Sequence, residues 1–142
     1  FIDLVKLIYA KNKKLKVILS GKRRNYVINQ LEDAGIPYRY FEMVPLDVLN
    51  KLYNILNLYL VTSRVEGGPQ AIFECALTKT PILSTRVGVA PEVLHKNSIY
   101  KVGEFSKAKI DTDYAFDSAQ KYTIPHGFDK FFNMFSEVKI ES

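Results

Sequence analysis

Ser63-Arg64-Val65-Glu66-Gly67-Gly68-Pro69-Gln70-Ala71-Ile72-Phe73-Glu74 is the stretch that decides the fold of this 142-residue chain. Ahead of it, Leu58-Tyr59-Leu60-Val61-Thr62 is an apolar run of strand length without clean alternation, the pattern of a parallel strand covered by helices on both faces. Behind it, Pro69 to Lys79 reads as a helix in which Ala71, Ile72, Phe73, Cys75, Ala76 and Leu77 are apolar, while Gln70, Glu74 and Thr78 form one narrow polar stripe. The expected order is strand, glycine turn, helix start. Glu66 then lies in the turn and Glu74 about two helical turns later.

Outward from this stretch the same alternation recurs. Lys16 to Ser20 reads as a strand broken by Gly21, followed by a helix from about Lys22 to Ala34 that Gly35 ends. Pro37 to Phe41 gives a second strand, and Pro45 to Leu56 a second helix with Leu46, Leu49, Leu52, Tyr53 and Leu56 on one face. Leu58 to Thr62 is then the expected central strand. Pro81 to Ser84 is another strand, Gly88 lies in a turn, Pro91 opens a short helix, and Ser98 to Val102 reads as a last strand. Strands and helices alternating through short turns predict an α/β doubly wound parallel sheet, with ligands beyond the C-terminal ends of the strands. In the tail, Asp113 to Tyr122 is one helix candidate and Phe128 to Val138 a second. Phe128, Phe131, Phe132 and Phe135 lie at helical spacing in the second, a stripe expected to pack onto a body rather than to bind a cofactor.

A hydrophobic content of 47% is that of one globular domain with a core, so residues 1–142 are read as one domain with 113–142 as a helical tail. The chain starts without Met and is helical in pattern from Phe1 onward, with no capping residue in front, as expected of a piece of a longer protein. No segment has the length of uncharged apolar sequence a membrane-spanning helix needs, and no secretory signal is present at Phe1. One cysteine, Cys75, cannot form an internal disulfide and has no ligand-spaced neighbour for zinc. A cytoplasmic setting is expected, with peripheral association of the full protein at the inner face of the membrane left open.

The net charge of +5 and pI of about 9.2 suit an anionic partner. The basic residues are scattered apart from Lys22-Arg23-Arg24 and the run Lys11 to Lys16, and no RNA-binding aromatic signature lies among them. Nucleic acid is not an expected partner. Gly67 and Gly68 leave backbone N–H groups free to approach an anion where a helix begins, which fits a phosphate; a plain tight turn fits the two glycines equally well. A carboxylate accepts hydrogen bonds only, and a vicinal diol offers two donors at a spacing one carboxylate takes bidentately. A sugar diol at each glutamate therefore stands beside the reading in which Glu74 faces solvent or pairs with a lysine.

At these residues the chain resembles the nucleotide-sugar-dependent retaining glycosyltransferases of the two-Rossmann-domain, or GT-B, type, known as group 1 or family 4. The resemblance is to their C-terminal, donor-binding domain. It runs from the first helix to about Leu94, through Leu15 to Gly21, Tyr53 to Ser63, Glu66-Gly67-Gly68-Pro69 with Glu74-Cys75-Ala76-Leu77, Thr80 to Thr85, and Val87-Gly88 with Pro91-Glu92-Val93. It implies a Rossmann-like sheet forming one half of a two-domain fold. It also implies that Glu66 contacts hydroxyls of the transferred sugar as the catalytic-site residue, orienting it rather than attacking it, and that Glu74 holds the nucleotide ribose. Gly67, Gly68, Pro69 and Gln70 would line the sugar and diphosphate, and Met43-Val44-Pro45 would lie against the nucleobase. The donor would be a UDP- or GDP-linked hexose, with no cofactor or metal. The acceptor, a glycan or lipid, would be bound by an N-terminal domain not contained here, so this chain alone is expected to be inactive. Two departures from the family pattern matter: its diphosphate-binding Arg and Lys fall upstream of Phe1, and Gly88-Val89 stands where the family often has two glycines.

Other constellations are set aside. Asp111-Thr112-Asp113 has the D-x-D spacing of a metal site, but Asp113 or Thr112 as a helix cap explains it more simply. His95 and His126 are far apart and no serine sits in a nucleophile elbow, so no triad is expected. Cys75, in an apolar helix without a neighbouring base, reads as a structural thiol. A nucleotide-sugar epimerase of related fold and a non-catalytic nucleotide-binding module are the rival functions.

Overall fold

The computed structural model describes residues 1–101, 103–105 and 108–137. The chain divides into two compact units, Phe1–Leu52 and Tyr53–Ser142. In the first, α1 (Ile2–Lys11), β1 (Val17–Ser20), α2 (Asn25–Asp33) and β2 (Tyr38–Phe41) precede α3 (Leu46–Ile55), within which the division falls. β1 and β2 pair in parallel from Val17↔Tyr38 to Ser20↔Phe41. Leu4, Val5, Val17, Leu19, Leu31 and Ile36 form the core of this unit.

The end of α2 shows how sequence places β2. Gly35 adopts φ +61, its N–H donates to the Glu32 carbonyl, and the Ile36 N–H donates to the Leu31 carbonyl at 2.9 Å. This is a helix stop that satisfies two terminal carbonyls and turns the chain back. The apolar residues at its two ends, Leu31 and Ile36, are both buried. α2 itself begins at Asn25 rather than at Lys22. Gly21 at φ +95 and Arg23 at φ +60 are left-handed, so the chain cannot enter a helix until it has passed them.

The second unit begins inside α3 and continues with β3 (Tyr59–Val61), α4 (Gln70–Leu77), β4 (Ile82–Ser84), α5 (Ala90–Val93), a 3-10 turn η1 (Lys96–Ser98), α6 (Thr112–Gln120) and α7 (His126–Glu137). β3 and β4 are parallel, with Leu60 opposite Leu83. The stretch expected as the central strand thus has β4 as its hydrogen-bonded neighbour among the described residues, and Val61 is its one buried residue. α4 packs on β4, α5 and α6. Small side chains at the contacts, Cys75, Ala76, Ala90 and Ala119, are completely buried and let the helices approach closely.

Two readings of the C-terminal part change. The strand expected at Ser98 to Val102 reduces to one parallel bridge, Ser84↔Ile99, because Lys96–Ser98 is already wound into η1; Val102 lies outside the described residues. The aromatic stripe of α7 does not pack onto the unit: Phe128, Phe131, Phe132 and Phe135 are all at least 60% exposed. With Tyr122, Ile124 and Gly127, three of them line an open apolar groove of about 460 Å³. Val138, the expected end of this helix, lies outside the described residues.

Leu31 has no exposed surface, whereas Leu46 is 79% exposed. Leu31→Ala is expected to lower the unfolding free energy by about 2–5 kcal/mol, and Leu46→Ala by less than about 0.5 kcal/mol, in urea denaturation.

Candidate functional site

The loop after β3 is anchored before it is exposed. The Thr85 N–H donates to the Val61 carbonyl at 3.0 Å, and the Thr85 hydroxyl donates to the Ser63 carbonyl at 2.6 Å. Beyond that tie, residues 64–68 are exposed, Val65 among them. The Ser63 hydroxyl reaches forward to Glu66 and donates to its Oε1 at 2.9 Å. One oxygen of Glu66 is thereby held while its exposed carboxylate faces solvent.

The glycines of the loop have different reasons to be there. Gly88, in the turn after β4, has φ +45, and a Cβ on it would lie 2.8 Å from Pro69 Cδ and 3.1 Å from both Cα and N of Gly68. The fold demands a glycine at 88, because two loops touch through it. Gly67 is the opposite case. Its φ is outside the left-handed region and a Cβ there would meet nothing within 4 Å. Nothing in the described structure requires position 67 to lack a side chain, so the bare backbone leaves space for something from outside.

α4 starts at Gln70 with Pro69 as its N-cap residue and no side-chain cap. The Ile72 N–H donates to the Pro69 carbonyl at 3.0 Å, which leaves the first two N–H groups of the helix, those of Gln70 and Ala71, without a protein acceptor among the described residues and open to solvent or a ligand. Two turns along this helix, Glu74 is half-buried and its Oε2 accepts a hydrogen bond from the Tyr53 hydroxyl at 2.8 Å. Tyr53 is buried and is itself tied down: the Thr80 hydroxyl donates to its carbonyl at 2.8 Å, and its ring meets Tyr59 edge-on with centroids 6.0 Å apart. Burial, and then the hydrogen bond to Glu74, push the Tyr53 phenol well above its ordinary range, so it remains a donor. The polar partner of Glu74 is thus a tyrosine, neither solvent alone nor a lysine.

Burial, reinforced by the charge of Glu74, also raises the Cys75 thiol far above the usual cysteine range. Cys75 is fully buried and lacks the thiolate a nucleophile needs. The acidic pair of the tail has protein partners. Asp111, not Asp113 or Thr112, caps α6 by accepting from the Tyr114 N–H at 3.1 Å, and Asp113 pairs with Lys79 at 3.1 Å.

The structure brings Glu66, Gly67, Gly68, Pro69, Gln70 and Glu74 into one loop and helix start of the second unit. Met43 and Val44 lie between β2 and α3 in the first unit, Met43 exposed and Val44 half-buried. Sequence reasoning missed Tyr53, Ser63 and Thr85 as partners of the loop. Tyr53 had a signal: a phenol on an otherwise leucine-lined helix face needs a buried acceptor. The two hydroxyls had none, because serine and threonine at strand ends are too common to point anywhere.

Residues 1–115 match the model of the family described as glycosyl transferases group 1. No curated protein matches significantly. Among solved structures, the chain superposes on a chain of the GtfA/B complex with a TM-score of 0.71 at 14% identity, over 96% of this chain and 32% of that one. It superposes on AviGT4, a glycosyltransferase involved in avilamycin A biosynthesis, with a TM-score of 0.66 at 14% identity, over 96% of this chain and 46% of that one. Both likenesses establish the fold, a Rossmann-like part of the GT-B architecture. The chain spans about a third and about half the length of these two structures.

Gly88→Ala is expected to cost about 1–3 kcal/mol of stability through steric clash and left-handed strain, and Gly67→Ala less than about 0.5 kcal/mol, compared by thermal unfolding. Iodoacetamide should leave Cys75 unlabelled in the folded protein and label it in denaturant, as read by intact mass; labelling at equal rates in both would overturn its assignment as a buried structural thiol.

Proposed function

The chain belongs to the glycosyl transferases of group 1, and from that premise we propose that it is the donor-binding half of a retaining glycosyltransferase. In this reading it binds a nucleoside-diphosphate hexose, UDP- or GDP-linked, from which the sugar passes to a glycan or lipid acceptor held by a separate domain. The observation that carries the reading is the pairing of two carboxylates, each steadied at one oxygen by a protein hydroxyl, across a glycine loop that runs into an uncapped helix start.

Each part has a physical task. Transfer breaks the bond between the anomeric carbon and the diphosphate, so negative charge grows on the leaving phosphate as the sugar departs. The N–H groups at the start of α4, with the backbone of Gly67 and Gly68, offer donors and a positive helix end to that charge. A side chain at position 67 would occupy the space the diphosphate needs, while the protein itself leaves that space empty. Glu66, held by Ser63, accepts hydrogen bonds from sugar hydroxyls and fixes the orientation of the ring. Glu74 accepts from the ribose diol.

Titration with UDP, GDP and ADP, followed by amide NMR, tests the assignment. At least one of them should perturb residues 67–74, and Glu74→Ala should weaken it by about 1.5–3 kcal/mol, the scale of hydrogen bonds to a charged group. The reading fails if none of the three nucleotides moves these resonances, or if the Glu74→Ala affinity equals that of the wild type.

A further inference from the structure

We infer that Tyr53 is a positioning residue for Glu74: its hydroxyl fixes the carboxylate so that the protein selects ribonucleotides over their 2′-deoxy counterparts. The inference rests on the donor-binding reading above and adds to it a residue outside the loop and a substrate distinction.

The geometry divides the two oxygens of Glu74 between protein and ligand. Oε2 accepts from the Tyr53 hydroxyl at 2.8 Å, and Oε1 makes no hydrogen bond among the described residues. No buried side-chain oxygen among those residues lacks a partner, so Oε1 is open to solvent. A glutamate on a helix has three rotatable side-chain bonds, and a ligand that must freeze them loses part of the binding energy it gains. Here the freezing is done within the fold. Tyr53 has few freedoms of its own, since its ring is buried, its carbonyl accepts from Thr80, and Tyr59 lies against its ring edge. Thr78 and Thr80, with hydroxyl oxygens 2.8 Å apart, join this tie to the end of the helix that carries Glu74. The tyrosine and the glutamate are therefore fixed to one another at both side chain and backbone.

A carboxylate fixed in this way discriminates. It presents Oε1, and the remaining lone pair of Oε2, in one direction, which suits two adjacent hydroxyls and leaves an acceptor unused when one of them is missing. A mobile glutamate would turn to solvent when the 2′-hydroxyl is absent, and would distinguish the two sugars less. Positioning thus appears as selectivity rather than as affinity for nucleotides in general.

The test compares wild type, Tyr53→Phe and Glu74→Ala, each titrated with UDP, GDP and ADP and with the 2′-deoxy form of each, with unfolding midpoints recorded. Wild type is expected to prefer the ribo form of its nucleotide by about tenfold or more. Tyr53→Phe keeps the ring, and it should cut that preference below about threefold by weakening the ribo form alone. Equal weakening of both forms, tracking a lowered unfolding midpoint, would mean a purely structural tyrosine and would overturn the inference. A signature in the unmutated protein stands beside the variant: the Tyr53 ring carbon bearing the hydroxyl, followed by carbon NMR, should shift on binding the ribo form and not the deoxy form, and no difference between the two would also overturn it. If Glu74→Ala abolishes the preference and Tyr53→Phe preserves it, positioning by Tyr53 is wrong and the donor-binding reading stands. If wild type binds a nucleotide but shows no preference, the inference is wrong and the donor-binding reading stands; if no nucleotide binds, both are wrong.

Discussion

Two loops touch where neither has a side chain to spare. Gly88, after β4, sits so close to Gly68 and Pro69, after β3, that a methyl group between them would be 2.8 Å from a proline carbon. Much of what matters in the second unit depends on this approach. It places the backbone of the β4–α5 turn against the residues that lead into α4, and Thr85 adds a hydrogen bond from the same strand end to Ser63. The Ser63–Pro69 loop is therefore fixed at both ends while its middle, residues 64–68, stays in solvent. The proposed binding role calls for this combination: rigid anchors set the geometry, and an exposed middle leaves room for a ligand.

Polar groups in and around α4 are handled in the same spirit. The helix buries Ile72, Cys75 and Ala76 and keeps its polar stripe for hydrogen bonds. The Thr78 hydroxyl donates to that of Thr80, Thr80 donates to the Tyr53 carbonyl, and the Tyr53 hydroxyl donates to Glu74. No described buried side-chain polar atom is left without a partner. Such a network costs little as long as it is complete, and it gives the carboxylate a fixed address.

The βαβ rhythm was legible because it is written in composition: apolar runs of strand length, glycines where helices stop, prolines at the entry to strands. The helix over Pro69 to Lys79 and the strand at Pro81 to Ser84 were each recovered to within two residues at either end. Pair registers and tertiary ties were not legible, since Ser63, Thr85 and Tyr53 act across 3, 22 and 21 positions of sequence. Gly88 could be read as a turn, but its closeness to Gly68 depends on three-dimensional approach alone. The start of α2 was misplaced because left-handed Arg23 carries no residue-type signal. Amphipathic spacing identified α7 as a helix, yet spacing specifies only that apolar residues share a face, not what covers them.

The helix stop at Leu31 to Ile36 recurs in the second unit, atom for atom. Lys79, at φ +53, stands where Gly35 stands; its N–H donates to the Ala76 carbonyl, and the Thr80 N–H to the Cys75 carbonyl. A proline follows in each, Pro37 and Pro81, whose carbonyl accepts from the first residue of the neighbouring strand, Val17 or Tyr59. One hinge design thus serves both units, but with different residues at its bend. Glycine turns the corner and ends there. Lysine turns it against its own preference and carries an arm, which lies over the ring of Phe116 and grips Asp113. The second copy has made its corner into a clasp, fastening α6 to the helix that bears Glu74.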